Sequence, residues 1–153
     1  MNTKSASLVK YKWNLACIMV MLLITLFSCN SSFTPVLNSA QGVQFKVSPL
    51  SGALAIAKSQ NKPLFVFLHA TWCPTCKQME NEVLNKKELG DKFNQSFVNV
   101  AIDYDSAEGK NLDKLYKIHA TPTLLFFDAK GNIIKRIDGG VSGADLLGVA
   151  GAL

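Results

Sequence analysis

Along the chain, stretches whose apolar residues run continuously alternate with stretches whose apolar residues recur every three or four positions. Continuous runs rich in β-branched and aromatic residues predict strands, and "LFVFLHA" at 64–70 is typical of a strand buried on both faces. Helical spacing predicts helices with one apolar side, as in "EGKNLDKLYKIH" at 108–119. By these criteria we predict strands at 43–47, 64–70, 97–103, 123–128 and 133–139, and helices at 51–61, after residue 76, at 87–94, at 108–119 and from Ser142 onward.

The predicted elements follow the order β-α-β-α-β-α-β-β-α. Helices between strands need crossover connections, which predict a largely parallel sheet with helices on both faces. The last two strands are joined by residues 129–132, where Gly131 and Asn132 tolerate a positive φ, so we predict an antiparallel hairpin. Ser142, followed by Asp145, is typical of a helix start. The predicted fold class is α/β, a three-layer α/β/α sandwich with a central mixed sheet.

The amino terminus is predicted to be an export signal. A basic stretch precedes the uncharged, largely apolar segment 13–28, which suits a signal-peptide core better than a bilayer span of about 20 residues. The sequence "LFSC" at 26–29 resembles the bacterial lipobox, in which the cysteine is lipidated and becomes the new terminus. We therefore predict a signal peptide at 1–28 and a lipidated Cys29, with an uncleaved anchor or soluble export as alternatives.

Residues 29–43 are predicted to be a lipid-anchored flexible tether, because they are rich in Ser and Asn and carry no charge. A single globular domain would then occupy residues 44–153. Each outcome at the amino terminus puts this domain outside the cytoplasm. We expect a membrane-anchored lipoprotein of the bacterial cell envelope that faces the periplasm, where disulfides can persist.

The net charge of +5 gives no reason to expect nucleic-acid binding. Three of the 16 basic residues precede residue 29, where there is no acid, so the rest of the chain carries only +2. No basic face for nucleic acid results from this charge. We expect a monomer without a nucleic-acid partner.

The four cysteines divide into two groups. Cys17 lies in the apolar segment. If that segment is removed and Cys29 is lipidated, only Cys73 and Cys76 remain as thiols, which favours pairing between them. Pro74 suits the first position inside a helix, so Cys73 should be the N-cap residue.

As an N-cap, the Cys73 sulfur would accept hydrogen bonds from the amides of Thr75 and Cys76 and face the positive end of the helix dipole. These interactions favour the thiolate, so we predict a lowered pKa for Cys73. Cys76 falls one turn deeper on the same side, within reach of a disulfide. Cys73 is therefore predicted to be exposed and to attack, and Cys76 to be sheltered and to resolve.

A structural cross-link and a metal site are the alternatives for this pair. A bridge that closes four residues contributes about 2 kcal/mol, against about 5 kcal/mol for a loop of a hundred residues, so it is poorly placed as a staple. A closed zinc site needs four ligands, and neither His69 nor His119 has a partner at ligand spacing. Each histidine is expected to be an ordinary loop or strand residue. We predict no metal and no cofactor.

Two motifs together indicate a known family. "WCPTCK" follows a predicted buried strand, and "ATPT" at 120–123 precedes the next long apolar strand. In this arrangement, residues 44–153 resemble the thioredoxin-fold family. The resemblance implies that Pro122 follows a cis peptide bond and packs beside the cysteines, and that the backbone of Thr121 pairs with an extended substrate chain.

The resemblance also assigns residues around the cysteines to substrate binding. It implies that Trp72 forms a surface platform, with core packing as the alternative, and that Pro74 and Thr75 line the same site. The pattern Cys-Lys-x-apolar-Glu is similar to the C-terminal thioredoxin-like domain of the membrane electron transporter DsbD and to related envelope thioredoxins. Of the two acids that flank the cysteines in that domain, Glu80 matches the second, whereas Phe67 stands in place of the first.

The implied activity is that of a thiol–disulfide oxidoreductase whose catalytic residues are Cys73, Cys76 and Glu80. Because Phe67 replaces an acid, the proton of Cys76 must go to Glu80, to water or to the substrate thiolate; a solvated helix residue is the alternative for Glu80. The expected partners are protein thiols or disulfides and a membrane electron donor, and kinship to the DsbD domain favours reduction. The alternative function is a non-catalytic module that binds a protein or a copper ion.

Overall fold

The structure, a computed structural model, describes residues 41–46 and 49–153. The predicted signal peptide, the lipidation site at Cys29 and the tether up to residue 40 lie outside the described residues. Within the described residues, none of the helices combines the length and the apolar character that a membrane crossing requires.

A central sheet with helices on both faces organises the described chain. The elements are α1 (Leu50–Gln60), β1 (Leu64–His69), α2 (Pro74–Gln78), the π-helical segment π1 (Met79–Leu84), α3 (Lys87–Ser96), β2 (Val98–Asp103), α4 (Ala107–Tyr116), β3 (Thr123–Phe127), β4 (Ile133–Asp138) and α5 (Gly143–Ala152). The strand order is β2-β1-β3-β4. β1 and β2 are parallel, whereas β3 runs antiparallel to both β1 and β4. The predicted α/β class with a mixed sheet is confirmed.

The layers follow from the two-residue period of β1, which is buried along almost its whole length. Phe65 and Phe67 belong to an apolar cluster that α2, π1, α3 and α5 cover. Leu64, Val66 and Leu68 belong to a second cluster, covered by α1 and α4. Because the cysteines belong to the first cluster, the candidate site lies on that side of the sheet.

The predicted first strand, 43–47, does not form over the residues that the structure describes in it. Only Lys46 makes an isolated parallel bridge, to Val100. Two neighbouring amides have other partners: Val43 N–H donates to the Leu84 carbonyl at 2.7 Å, and Gln44 N–H donates to Asn94 Oδ1 at 2.8 Å. The segment therefore packs mainly against π1 and α3 and joins the sheet only at Lys46.

The expectation of a largely parallel sheet is also wrong, because β1 and β2 are the only parallel strand pair among the described elements. α4 ends at Tyr116, and the next residue, Lys117, is its C-cap and has a left-handed backbone with φ 52°. The chain then enters β3 beside the end of β1, with Thr123 opposite Leu68. This connection places residues 118–122 at the same end of the sheet as the cysteines, which follow the carboxyl end of β1.

Candidate active site

The two cysteines follow the carboxyl end of β1. Cys73 N–H donates to the Ala70 carbonyl at 3.1 Å, which closes the turn after the strand, and α2 then begins at Pro74. Cys73 is the N-cap residue, as predicted, and its Sγ accepts a hydrogen bond from Cys76 N–H at 3.1 Å. The second predicted bond, from Thr75 N–H, is absent from this described segment.

Cys73 and Cys76 form a disulfide, with their Cα atoms 5.3 Å apart. Cys76 is fully buried, as predicted, but the expectation that Cys73 is exposed is wrong, because only 3 % of its surface is accessible. The Thr121 carbonyl oxygen lies 3.3 Å from Cys73 Sγ and covers it. Sequence spacing could not anticipate this contact, since it joins residues 48 positions apart.

The loop before β3 forms the wall of the site beside the disulfide. Its Thr121–Pro122 peptide bond is cis, as the resemblance implied. The Pro122 carbonyl accepts a hydrogen bond from Gly139 N–H at 2.7 Å, and the Thr123 hydroxyl lies 3.0 Å from Asp138 Oδ1. Hydrogen bonding from Arg136 lowers the pKa of Asp138, so this carboxylate stays charged and the end of β4 holds the loop in place.

Trp72 lies on the surface next to the disulfide. It is 61 % exposed, which excludes core packing, and its Nε1–H donates to Asp105 Oδ2 at 2.6 Å. Asp105 also pairs with Lys110 at 3.0 Å, and the Lys110 ammonium lies 3.9 Å from the centre of the Tyr104 ring. The hydrogen bond from Lys110, and then that from Trp72, lowers the pKa of Asp105. The role of Asp105 was missed, because no local pattern links it to Trp72.

Pro74 and Thr75 are exposed at the start of α2. Thr75 lines a surface cleft of about 560 Å³ together with Gly140 and Val141, which follow β4. A Cβ at Gly140 would lie 2.9 Å from Thr75 Cγ2, so the absence of a side chain keeps this part of the cleft open. Gly140 is a second residue of the site that its sequence context did not reveal.

Glu80 lies one turn beyond Cys76, in π1, where its side chain is 43 % exposed. Its carboxylate also has a partner within the protein, because Glu80 Oε1 lies 3.3 Å from His69 Nδ1. The His69 ring stacks parallel on Phe67, with 5.4 Å between ring centres. The structure thus brings Glu80 together with the last residue of β1, while Phe67, which stands in place of the first acid of the DsbD domain, is buried.

A family model described as a thioredoxin-like domain matches residues 50–152. The thiol:disulfide interchange protein DsbD of Yersinia pestis (strain Pestoides F) is 30 % identical over 95 residues, which are 60 % of this chain and 16 % of that relative. The chain therefore spans a small part of the length of that relative.

Two solved structures extend the comparison. A candidate disulphide-isomerase from Bacteroides thetaiotaomicron is 37 % identical, with a TM-score of 0.65 over 71 % of this chain and 90 % of that one. The reduced C-terminal domain of Neisseria meningitidis DsbD is 21 % identical, with a TM-score of 0.57 over 67 % of this chain and 92 % of that one, a likeness that concerns the fold alone. The similarity covers the domain that carries the disulfide.

Proposed function

Because the chain belongs to the thioredoxin-like family, we propose that it is a thiol–disulfide oxidoreductase of the bacterial cell envelope, acting on protein partners through Cys73 and Cys76. The observation that carries the proposal is the position of the disulfide at a helix start. One sulfur accepts the Cys76 amide hydrogen bond, which stabilises a thiolate there after reduction.

The proposed reaction transfers two electrons to a partner disulfide. Reduced Cys73 attacks one partner sulfur as a thiolate, the other partner sulfur leaves and takes up a proton, and a mixed disulfide forms. Cys76 then gives up its proton and attacks Cys73 Sγ, which releases the partner as a dithiol. The product is the Cys73–Cys76 disulfide, the state that the structure describes.

The surroundings of the disulfide support binding of an extended partner segment. The Thr121 backbone, next to Cys73 Sγ and followed by Pro122, offers an edge to which such a segment can bind. Trp72, Pro74 and Thr75 are the exposed residues next to the two cysteines in the chain. We assign these five residues to substrate binding, and Glu80 to accepting the Cys76 proton.

Reduction is the direction that we propose, with electrons delivered by a membrane donor and with the protein held at the membrane through Cys29. The similarity to a protein named for thiol:disulfide interchange supports the exchange reaction itself. Measurement of the reduction potential of the Cys73–Cys76 disulfide would distinguish the two directions. A value of about −270 mV indicates a thioredoxin-like reductant, and one of about −120 mV an oxidant.

Insulin reduction with dithiothreitol tests the activity. We expect the unmodified chain to accelerate insulin precipitation and Cys73→Ser to abolish the acceleration, because the attacking sulfur is gone. Cys17→Ser is the matched control and should keep full activity. No acceleration by the unmodified chain, together with tight binding of copper to the reduced protein, would instead identify a non-catalytic module.

Cys76→Ser, expressed in the native host, identifies the partners. Without its resolving thiol, Cys73 should accumulate mixed disulfides that a reductant dissolves. Recovery of no adducts under oxidising conditions would contradict the proposed function.

A further inference from the structure

His69 and Glu80 form a pair on the side of the sheet that carries the cysteines. His69 and Phe67 are two residues apart in β1, so their side chains lie on the same face as the cluster that contains Cys76. Stacking on Phe67 fixes the plane of the imidazole, and Glu80 Oε1 lies 3.3 Å from its Nδ1. Glu80 follows Cys76 by four residues, at the start of π1, which continues directly from α2.

Glutamate alone is a weak base for the proton that Cys76 must lose. Thiols ordinarily titrate at about pH 8.5, carboxylates of glutamate at about 4.3 and imidazoles at about 6.5. The ordinary pKa of an imidazole is about two units closer to that of a thiol than the pKa of a glutamate is. Proton transfer from a thiol to an imidazole is therefore less unfavourable than transfer to a glutamate. This inference rests on the oxidoreductase function proposed above. We propose that His69 is a positioning residue that acts through Glu80: Glu80 takes the proton of Cys76 during resolution of the mixed disulfide and passes it to His69.

The proposed step balances without any further reactant. The Cys76 thiol gives its proton to Glu80, and neutral His69 takes up a proton from Glu80 at Nδ1, which leaves an imidazolium–carboxylate pair. The Cys76 thiolate attacks Cys73 Sγ, the bond between Cys73 and the partner sulfur breaks, and the partner leaves as a thiolate. The proton then leaves His69 through water to that thiolate.

The other charged groups around the pair leave this path open. Asp103 stands opposite His69 in β2, but its Oδ1 accepts the Asp105 amide hydrogen bond at 3.0 Å. On the helical side, Glu82 accepts a hydrogen bond from Gln78, and Lys77 is exposed. Residues 42–45, which line a cleft together with Glu80, carry no charged side chain.

The reaction of the reduced full chain with 5,5′-dithiobis(2-nitrobenzoate) separates the two steps. The Cys17→Ala and Cys29→Ala replacements confine the signal to the active-site pair. The first release of thionitrobenzoate reports attack by Cys73, and the second reports resolution by Cys76. Both releases are followed from pH 4 to 9 in the protein that retains His69 and Glu80, in His69→Phe, in Glu80→Gln and in the double variant. The control is Glu88→Gln, which changes an exposed carboxylate on α3.

We expect His69→Phe, which keeps the stacked ring, to slow the second release about tenfold or more at neutral pH without changing the first. A protonated imidazole can accept no further proton, so acidification should slow the second release more in the protein that retains His69 and Glu80 than in His69→Phe. Glu80→Gln should slow the second release similarly, and the double variant should be no slower than Glu80→Gln, because both act on one path.

A second release in His69→Phe that matches the control would overturn the role of His69, whatever Glu80→Gln shows. If His69→Phe does not fold, an unchanged second release in Glu80→Gln does so alone. A first release no faster than that of free cysteine would instead contradict the proposed oxidoreductase function itself, so the two failures are distinguishable.

Discussion

At the level of single residues, the surroundings of Phe67 determine which groups can handle protons near the disulfide. Its ring is 1 % exposed and packs between two others, with ring centres 5.9 Å from Phe45 and 5.4 Å from His69. Position 67 therefore supplies an apolar ring and no ionisable group. Proton transfer is therefore left to groups on the margin of the site.

Restoring an acid at position 67 should destabilise the fold. Phe67→Asp should lower the free energy of unfolding by about 3–5 kcal/mol, because it removes a buried ring and buries a carboxyl group among apolar neighbours. Phe67→Leu, which keeps the site apolar, should lose about 1–2 kcal/mol. Urea unfolding of the oxidised protein measures both. Equal losses would show that the acid itself is tolerated.

Asp105 should control the setting of Trp72 over a wide range of pH. Because its pKa is lowered in the folded protein, the carboxylate stays charged, and its bond to the indole persists until the pH falls below the usual range of aspartic acids. Trp72 fluorescence in a Trp13→Phe background should therefore change only at that low pH.

The charge pair can be tested with a matched pair of substitutions. Lys110→Met removes the largest cause of the lowered pKa and should move the fluorescence transition to higher pH. Lys114→Met, an exposed lysine of the same helix, should leave it in place. A transition that stays fixed in both variants would contradict the assignment to Asp105.

At the level of elements, the segment before α1 is held by close packing and not by a β-ladder. Gly90, inside α3, lies against the backbone of residues 41 and 42. A Cβ there would lie 2.6 Å from the Gly42 carbonyl oxygen, and backbone atoms cannot move aside as a flexible side chain can. Absence of a side chain at position 90 is therefore a condition for this docking.

Gly90→Ala should lower the free energy of unfolding by about 1–3 kcal/mol, because the overlap outweighs the gain in helix propensity. Gly148→Ala in α5 has nothing within 4 Å of the added carbon and should stabilise by about 0.5–1 kcal/mol. Thermal unfolding of both variants measures the difference. A gain in both would mean that residues 41–42 move aside freely.

The pattern of the chain predicted local features well and non-local ones poorly. The buried strands, the hairpin and the N-cap at Cys73 follow from residues within a few positions of one another. The loss of strand 43–47 depends on Asn94, about 50 positions away, and the burial of Cys73 depends on Thr121. The pairing of His69 with Glu80 requires π1 to lie across the end of β1, which no local pattern indicates.

At the level of the whole molecule, the described domain carries the disulfide, while the proposed membrane attachment depends on Cys29, outside the described residues. Cys29→Ser should abolish labelling with radioactive palmitate and move the protein from the membrane to the soluble fraction, because a serine cannot take up the thioether lipid. Cys17→Ser is the matched control and should remain membrane-bound. Retention of Cys29→Ser in the membrane without label would favour an uncleaved anchor.

The coverage of Cys73 by the Thr121 carbonyl has a consequence for the choice of partners under the proposed function. A disulfide buried in a rigid folded partner cannot approach a sulfur that is itself buried. A disulfide in a flexible segment of the partner can reach it. Exchange would then be fastest with immature or damaged proteins, whose chains are loose around their cysteines, so conformational freedom would decide what is reduced.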